Sequence, residues 1–217
     1  MIAMKLINTV TFFGYSESHE NDEEFIGAYD TAKLLAEHGY AHVNGGGPGV
    51  MFAGSKGAKA GGGHVEAVYF EPKHVNHFEG KMDENINLVD TATEESNYVE
   101  RTRHLLEKGD AYVIFNGGTG TISEFGMAWA LSRLYFDRHK PFILYGPFWR
   151  SILDTFWKNM RVREDEYKVF RYASTPQEVL QYLQQFELMY DRYKNLTPQE
   201  CVGDECELFL APGQHRR

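Results

Sequence analysis

The apolar positions of the chain fall into short runs separated by amphipathic stretches. Lys5 to Gly14 is an apolar, β-branched run closed by glycine, the pattern of a strand. Between Asp22 and His38, the residues Phe25, Ile26, Tyr29, Ala32, Leu34, Leu35 and Ala36 recur at near-helical spacing, and Gly39 supplies a C-terminal stop. Tyr40–Val43 reads as a brief strand and Val50–Ala60 as a helix of small residues halted by Gly61, Gly62 and Gly63. His64–Phe70 reads as a strand, the polar stretch Glu71–Asn85 as a loop, and Ile86–Val89 as a further short strand. Thr93–Lys108 is an amphipathic helix with Tyr98, Val99, Leu105 and Leu106 inward. Ala111–Phe115 is continuously apolar, as a strand buried on both faces must be. A helix follows through Tyr135, then a strand at Pro141–Tyr145 and a helix at Trp149–Met160. The last helix, Gln177–Phe186, is entered through Thr175-Pro176, an N-cap followed by proline at the first helical position.

Strands alternating with helices of this length demand right-handed crossovers and a parallel sheet. The expectation is an α/β fold: a doubly wound, Rossmann-like parallel sheet of about six or seven strands with helices on both faces. It forms a single domain over residues 1–187, followed by a polar C-terminal tail at 188–217.

Composition narrows the class. The chain has 217 residues and a net charge of −9, with no run of Lys or Arg, which argues against a nucleic acid polymer held by its phosphates. No apolar run reaches the roughly 20 residues of a membrane span, and MIAMKLINTVTFF lacks a signal-peptide cleavage pattern, so no membrane partner is expected. Two cysteines cannot build a disulfide framework, which points to a reduced, cytoplasmic protein.

Charge alone does not exclude a small anion, because the 21 glycines are not evenly spread. Two clusters, NGGGPGVM after Val43 and NGGTGTISE after Phe115, fall where a strand turns into a helix. In a parallel sheet that is where ligands bind. A glycine turn opening a helix presents backbone N–H groups without intrahelical partners, and these favour an anion. The hydroxyls of Thr119 and Thr121 add donors. Neither cluster fits G-x-G-x-x-G in register and no G-x-x-x-x-G-K-[ST] is present, which disfavours a dinucleotide oxidoreductase or a P-loop NTPase.

Glu124 lies one turn inside the helix that opens at the second cluster. A carboxylate there either caps the helix and complements its dipole or faces the ligand. In the second case it could orient ribose hydroxyls, stabilise a cationic sugar or activate water. Arg101 precedes the same strand. It is either a solvated charge or, within reach of the loop, a partner for phosphate or a leaving base.

The stretch ERTRHLLEKGDAYVIFNGGTGTISEF resembles the signature of the LOG (Lonely Guy) family of cytokinin-activating phosphoribohydrolases, often labelled lysine decarboxylases. Arg101 falls on the family arginine, and Gly117, Gly118, Gly120, Thr121 and Glu124 on its glycine-loop motif. GGGPGVM, FFGYS and KPFILYGPFWRSIL are similar to further family elements, and the likeness spans about Val10 to Leu183. Three positions depart: Asn116 stands for proline, Thr102 for lysine and Phe52 for glutamate. The first changes loop stiffness, the second removes a positive charge near the site, and the third alters the rim of the first loop.

The resemblance implies hydrolysis of the N-glycosidic bond of a nucleoside 5′-monophosphate, AMP-like or a cytokinin riboside monophosphate, to free base and ribose 5-phosphate. It implies Arg101 and Glu124 as catalytic residues. Gly117, Gly118, Thr119, Gly120 and Thr121 would hold the phosphate, and Gly14, Ser16, Gly46 and Gly47 would line the ribose and base side. It implies no metal, no cofactor and a homodimer. The alternatives are a non-catalytic carrier of a phosphorylated pterin such as molybdenum cofactor, and a nucleotide-sensing module. His74 and His77 read as part of a surface loop, Cys201 and Cys206 as a free pair on the tail, and the acidic pairs Asp83-Glu84 and Glu94-Glu95 as solvated. Trp129, Tyr135, Phe148, Trp149, Phe156 and Trp157 read as core or a dimer face.

Overall fold

A computed structural model describes residues 6–71, 81–134 and 140–193. The expected parallel sheet has seven strands: β1 (Thr9–Phe13), β2 (Ala41–Asn44), β3 (Val65–Tyr69), β4 (Thr91–Glu94), β5 (Ala111–Ile114), β6 (Phe142–Tyr145) and β7 (Phe170–Ala173). Their order is β4-β3-β2-β1-β5-β6-β7, and every neighbouring pair is parallel. The helices are α1 (Glu23–Glu37), α2 (Val50–Ala60), α3 (Asp83–Ile86), α4 (Tyr98–Lys108), α5 (Thr119–Leu134), α6 (Phe148–Asn159) and α7 (Pro176–Tyr193).

Strand alternation divides the core into two layers. Val10, Phe12, Val113, Phe115 and Ile143 point to one face, where they meet Phe25, Ala28 and Leu35 of α1, Ala53 of α2, and Val179 and Leu183 of α7. Phe13, Tyr112, Ile114, Phe142 and Leu144 point to the other, against Leu105 of α4, Phe125 of α5, and Trp149 and Leu153 of α6. Trp129, Phe148 and Phe156 pack against that second layer, and the Trp149 indole donates to the Ile114 carbonyl at 3.0 Å. Trp157 is 51% exposed.

Because β1 pairs with both β2 and β5, the connections after β1 and β5 leave the carboxyl edge in opposite directions. That switch point is where a crevice opens in a doubly wound sheet.

Four local expectations are corrected. Val99, read as facing inward, is 61% exposed on α4. Ile86–Val89 is not a strand: Ile86 and Asn87 donate to Met82 and Asp83 in helical fashion, and Leu88 and Val89 continue as turns. The strand at this position is Thr91–Glu94, a polar edge strand paired to β3 and mostly exposed, which leaves no apolar run to read. Helix α4 starts at Tyr98 rather than Thr93, because the Asn97 carboxamide oxygen accepts from the N–H groups of Val99 and Glu100, at 2.9 and 3.1 Å. The last helix continues beyond Phe186 to Tyr193. Tyr135, His74, His77, Cys201 and Cys206 lie outside the described residues. Among the described residues no helix is long and apolar enough to cross a membrane.

Candidate functional site

A cavity of about 370 Å³ occupies the switch point. The end of β1 contributes Phe12, Phe13, Gly14, Tyr15 and Ser16, the loop after β2 gives Gly45, and α2 gives Met51. Phe70 follows β3, Tyr98, Arg101 and Leu105 come from α4, and Gly118, Thr119, Gly120, Thr121 and Glu124 surround the start of α5. Eight of the sequence-derived candidates therefore share one cavity: Gly14, Ser16, Arg101, Gly118, Thr119, Gly120, Thr121 and Glu124.

The second glycine loop is open as the sequence suggests. Ile122 is the residue whose N–H first reaches back, to the Gly118 carbonyl at 3.0 Å. The N–H groups of Thr119, Gly120 and Thr121 precede it and have no intrahelical acceptor. Gly117 lies behind this turn rather than on the cavity wall. A Cβ there would stand 2.1 Å from the Thr121 hydroxyl, so Gly117 lets the Thr121 side chain pack down.

The first glycine loop serves a different purpose. The N–H of Gly46 donates to the Asn44 carboxamide oxygen at 2.7 Å, and the Gly46 carbonyl accepts from Met82. The Gly47 carbonyl accepts from the Asn85 carboxamide at 2.6 Å, and Val50 donates to the Tyr15 carbonyl at 2.9 Å. These groups are spent on the protein, and neither Gly46 nor Gly47 lines the cavity. Their neighbour Gly45 does, held against Arg101.

Arg101 is buried at 7% exposure and tied to three elements. Its Nε donates to the Val68 carbonyl at 3.2 Å, its Nη2 to the Gly45 carbonyl at 3.4 Å, and its Nη1 to Glu124 Oε1 at 3.4 Å. Its Nη2 also stands 3.6 Å from the Met51 sulfur. A guanidinium has five N–H bonds, so these contacts leave one Nη1 hydrogen among the described partners. That suits a single contact to a ligand, not a two-pronged phosphate clamp. Glu124 is equally buried, and loss of water pushes its carboxyl up to about 7 against the downward pull of Arg101.

None of the three departures from the LOG pattern lines the cavity. Thr102 is fully buried and does not line the cavity. Phe52 packs on Phe25, ring centroids 6.4 Å apart, rather than on the rim of the cavity. Asn116 restrains its own loop: its side-chain oxygen accepts from Gly117 at 2.9 Å, and its carbonyl accepts from Tyr15 at 2.8 Å.

Sequence reasoning overlooked Tyr98 and Phe70 as site residues. The Tyr98 hydroxyl meets Ser123 Oγ at 2.5 Å and the Gly120 carbonyl at 3.3 Å, bracing the start of α5 from α4. Only its place three residues before Arg101, one helical turn on the same side, could have flagged it.

Residues 7–178 match the SLOG cluster4 family. The chain belongs to that family. An uncharacterized protein of Archaeoglobus fulgidus is 34% identical over 109 residues, which is 50% of this chain and 66% of that protein, just under two thirds of its length. Among solved structures, the structural-genomics target TM1055 superposes with a TM-score of 0.61 at 24% identity, covering 82% of this SLOG chain and 99% of its own. The molybdenum cofactor binding protein of the phototrophic bacterium Rippkaea orientalis gives 0.60 at 22% identity, covering 84% and 98%. At these identities the structures establish a shared fold.

Proposed function

We propose that this SLOG protein hydrolyses the N-glycosidic bond of a nucleoside 5′-monophosphate. One observation carries the reading: Glu124, with its carboxyl near neutrality, stands in the same cavity as the open N-terminus of α5. The N–H groups of Thr119, Gly120 and Thr121 and the two threonine hydroxyls hold the 5′-phosphate, and this remote contact positions the sugar. Ionised Glu124 faces the ribose, where it takes a proton from water or stabilises positive charge at the anomeric carbon. The bond from that carbon to the base nitrogen breaks, the water oxygen replaces the nitrogen, and the departing base takes up a proton. The products are free base and ribose 5-phosphate. Arg101 fixes the carboxylate and offers one N–H to the leaving base or the ligand. The test is incubation with AMP and chromatography for adenine. Release that Glu124→Gln abolishes is expected; release unchanged in that variant would sink the assignment.

The second reading is a carrier of a phosphorylated pterin. It is favoured by the commitment of Arg101 to protein acceptors and by the fold shared with a molybdenum cofactor binding protein. Tight binding of such a pterin, with no base released from any nucleotide, would establish it instead.

A free nucleotide rather than a polymer is the partner this reading requires, in keeping with the charge of −9. A homodimer, as the likeness to the LOG family implies, belongs to the same reading. Light scattering on the purified protein decides the oligomeric state.

A further inference from the structure

We infer that Tyr98 and Ser123 are positioning residues for the phosphate, a chain of two hydroxyls that holds the Gly120–Thr121 peptide group with its N–H turned towards the anion. This rests on the phosphate-monoester reading above and adds what keeps the binding turn in shape. Tyr98 comes from α4 and lines the cavity, and Ser123 lies near the start of α5. The Ser123 hydroxyl donates to the Gly120 carbonyl at 2.8 Å, and its oxygen meets the Tyr98 hydroxyl at 2.5 Å. With the proton order reversed, Tyr98 donates to the same carbonyl at 3.3 Å. In both orders the chain ends on the Gly120 carbonyl.

That carbonyl and the Thr121 N–H are the two ends of one planar trans peptide, so they point in opposite directions. A donor that fixes the carbonyl therefore fixes the N–H. Hydrogen bonds in a chain also polarise one another, so a loaded carbonyl makes the N–H across the peptide a better donor. The Thr121 N–H is one of the three at the start of α5 without an intrahelical acceptor, and Thr121 is 4% exposed at the cavity wall. Tyr98 stands three residues before Arg101 on α4, and Ser123 directly before Glu124 on α5. The hydroxyl chain and the Arg101–Glu124 pair thus form two rungs between the same two helices, one at the phosphate turn and one at the carboxylate.

The test is calorimetric titration of Tyr98→Phe, Ser123→Ala and the double variant with ribose 5-phosphate and inorganic phosphate, alongside nitrogen NMR of the Thr121 amide. Each single variant should bind both ligands about two- to tenfold more weakly than the parent, the range for one hydrogen bond. The double variant should lose little more than Ser123→Ala alone, because Tyr98 reaches the carbonyl mainly through Ser123. Ser123→Thr, which keeps a hydroxyl, should bind like the parent. The Thr121 amide resonance of the free protein should move in both single variants, while the titration midpoint of Glu124 keeps its parental value. Parental affinity in either single variant overturns the chain and leaves the phosphate site standing. A double variant whose loss equals the product of the two single losses overturns it too, since the hydroxyls would then act independently. So does an affinity loss that comes with a shifted Glu124 midpoint, which marks a displaced helix pair rather than a released peptide. Failure of the parent to bind either ligand removes the phosphate reading and the chain together.

Discussion

Arg101 Nη1 and Glu124 Oε1 stand 3.4 Å apart, with both side chains almost wholly out of water. The pair is a balance of opposed effects. Burial favours the neutral carboxyl, Arg101 favours the carboxylate, and burial is the larger, which leaves the group near 7. Removing the guanidinium therefore has a definite sign. In Arg101→Met the titration midpoint of Glu124, followed by carbon NMR, should move above its parent value. Any base-releasing activity that needs the carboxylate should then rise at correspondingly higher pH. A midpoint that does not move would show that the arginine has no electrostatic hold on Glu124.

The same raised value sets a dependence of stability on pH. The unfolded chain ionises Glu124 from about 4.5, whereas the folded chain keeps the proton until about 7. Between these values the folded state binds more protons, so this group's contribution to stability is present at low pH and is lost as pH rises through 7. Glu124→Gln cannot ionise and escapes that loss. Its melting temperature, compared with the parent, should be more favourable at pH 8 than at pH 5. Equal differences at the two pH values would contradict the raised carboxyl.

His42 works in the opposite direction. It lies on β2 under Gly54, edge-on to Phe12 at 4.6 Å, and neither ring nitrogen has a hydrogen-bond partner among the described residues. Burial lowers its pKa from 6.5 to about 3. Below 6.5 the unfolded chain takes up a proton that the folded chain refuses, so stability is lost as pH falls from 6.5 towards 3, by at most about 1.4 kcal/mol per pH unit. His42→Leu should flatten that acid limb in urea melts at pH 7, 6 and 5. A limb of unchanged slope would show that the ring titrates normally.

How legible all this is in the sequence depends on which forces act. Buried strands such as Ala111–Ile114 and the helix containing Leu105 and Leu106 announce themselves, because their side chains face the core at the period of the element. The edge strand Thr91–Glu94 does not, since pairing on one side and water on the other require no apolar pattern. At the site, the second glycine loop, Arg101 and Glu124 are readable because motif spacing puts them at one strand end. The different fates of the two glycine loops are not readable. They turn on two buried side chains that consume the first loop's polar groups: Asn44, whose neighbouring position says nothing of where its carboxamide points, and Asn85, 38 residues beyond Gly47. Tyr98 and Phe70 are hidden for a related reason: a half-buried aromatic on an amphipathic segment looks like core until a cavity is seen beside it.

Two glycines separate architecture from ligand binding. Gly49 has φ +64°, a region costly for residues with a Cβ, and an added Cβ would lie 2.2 Å from the Tyr15 carbonyl oxygen. That carbonyl accepts the first N–H of α2, so it cannot retreat without breaking a buried bond. Gly49→Ala should therefore lower stability by about 2 kcal/mol or more, from the strained backbone and the displaced loop together. Gly118 has no such obligation: its φ is not positive, and nothing stands within 4 Å of an added Cβ. Gly118→Ala should fold with nearly parental stability, within about 0.5 kcal/mol. Its methyl group would instead sit at the mouth of the α5 turn, where a phosphate must approach the backbone. Ribose 5-phosphate affinity should then drop about tenfold or more in Gly118→Ala, a loss of roughly 1.4 kcal/mol, while the melting temperature stays put. Parental affinity in that variant would move the phosphate away from this loop.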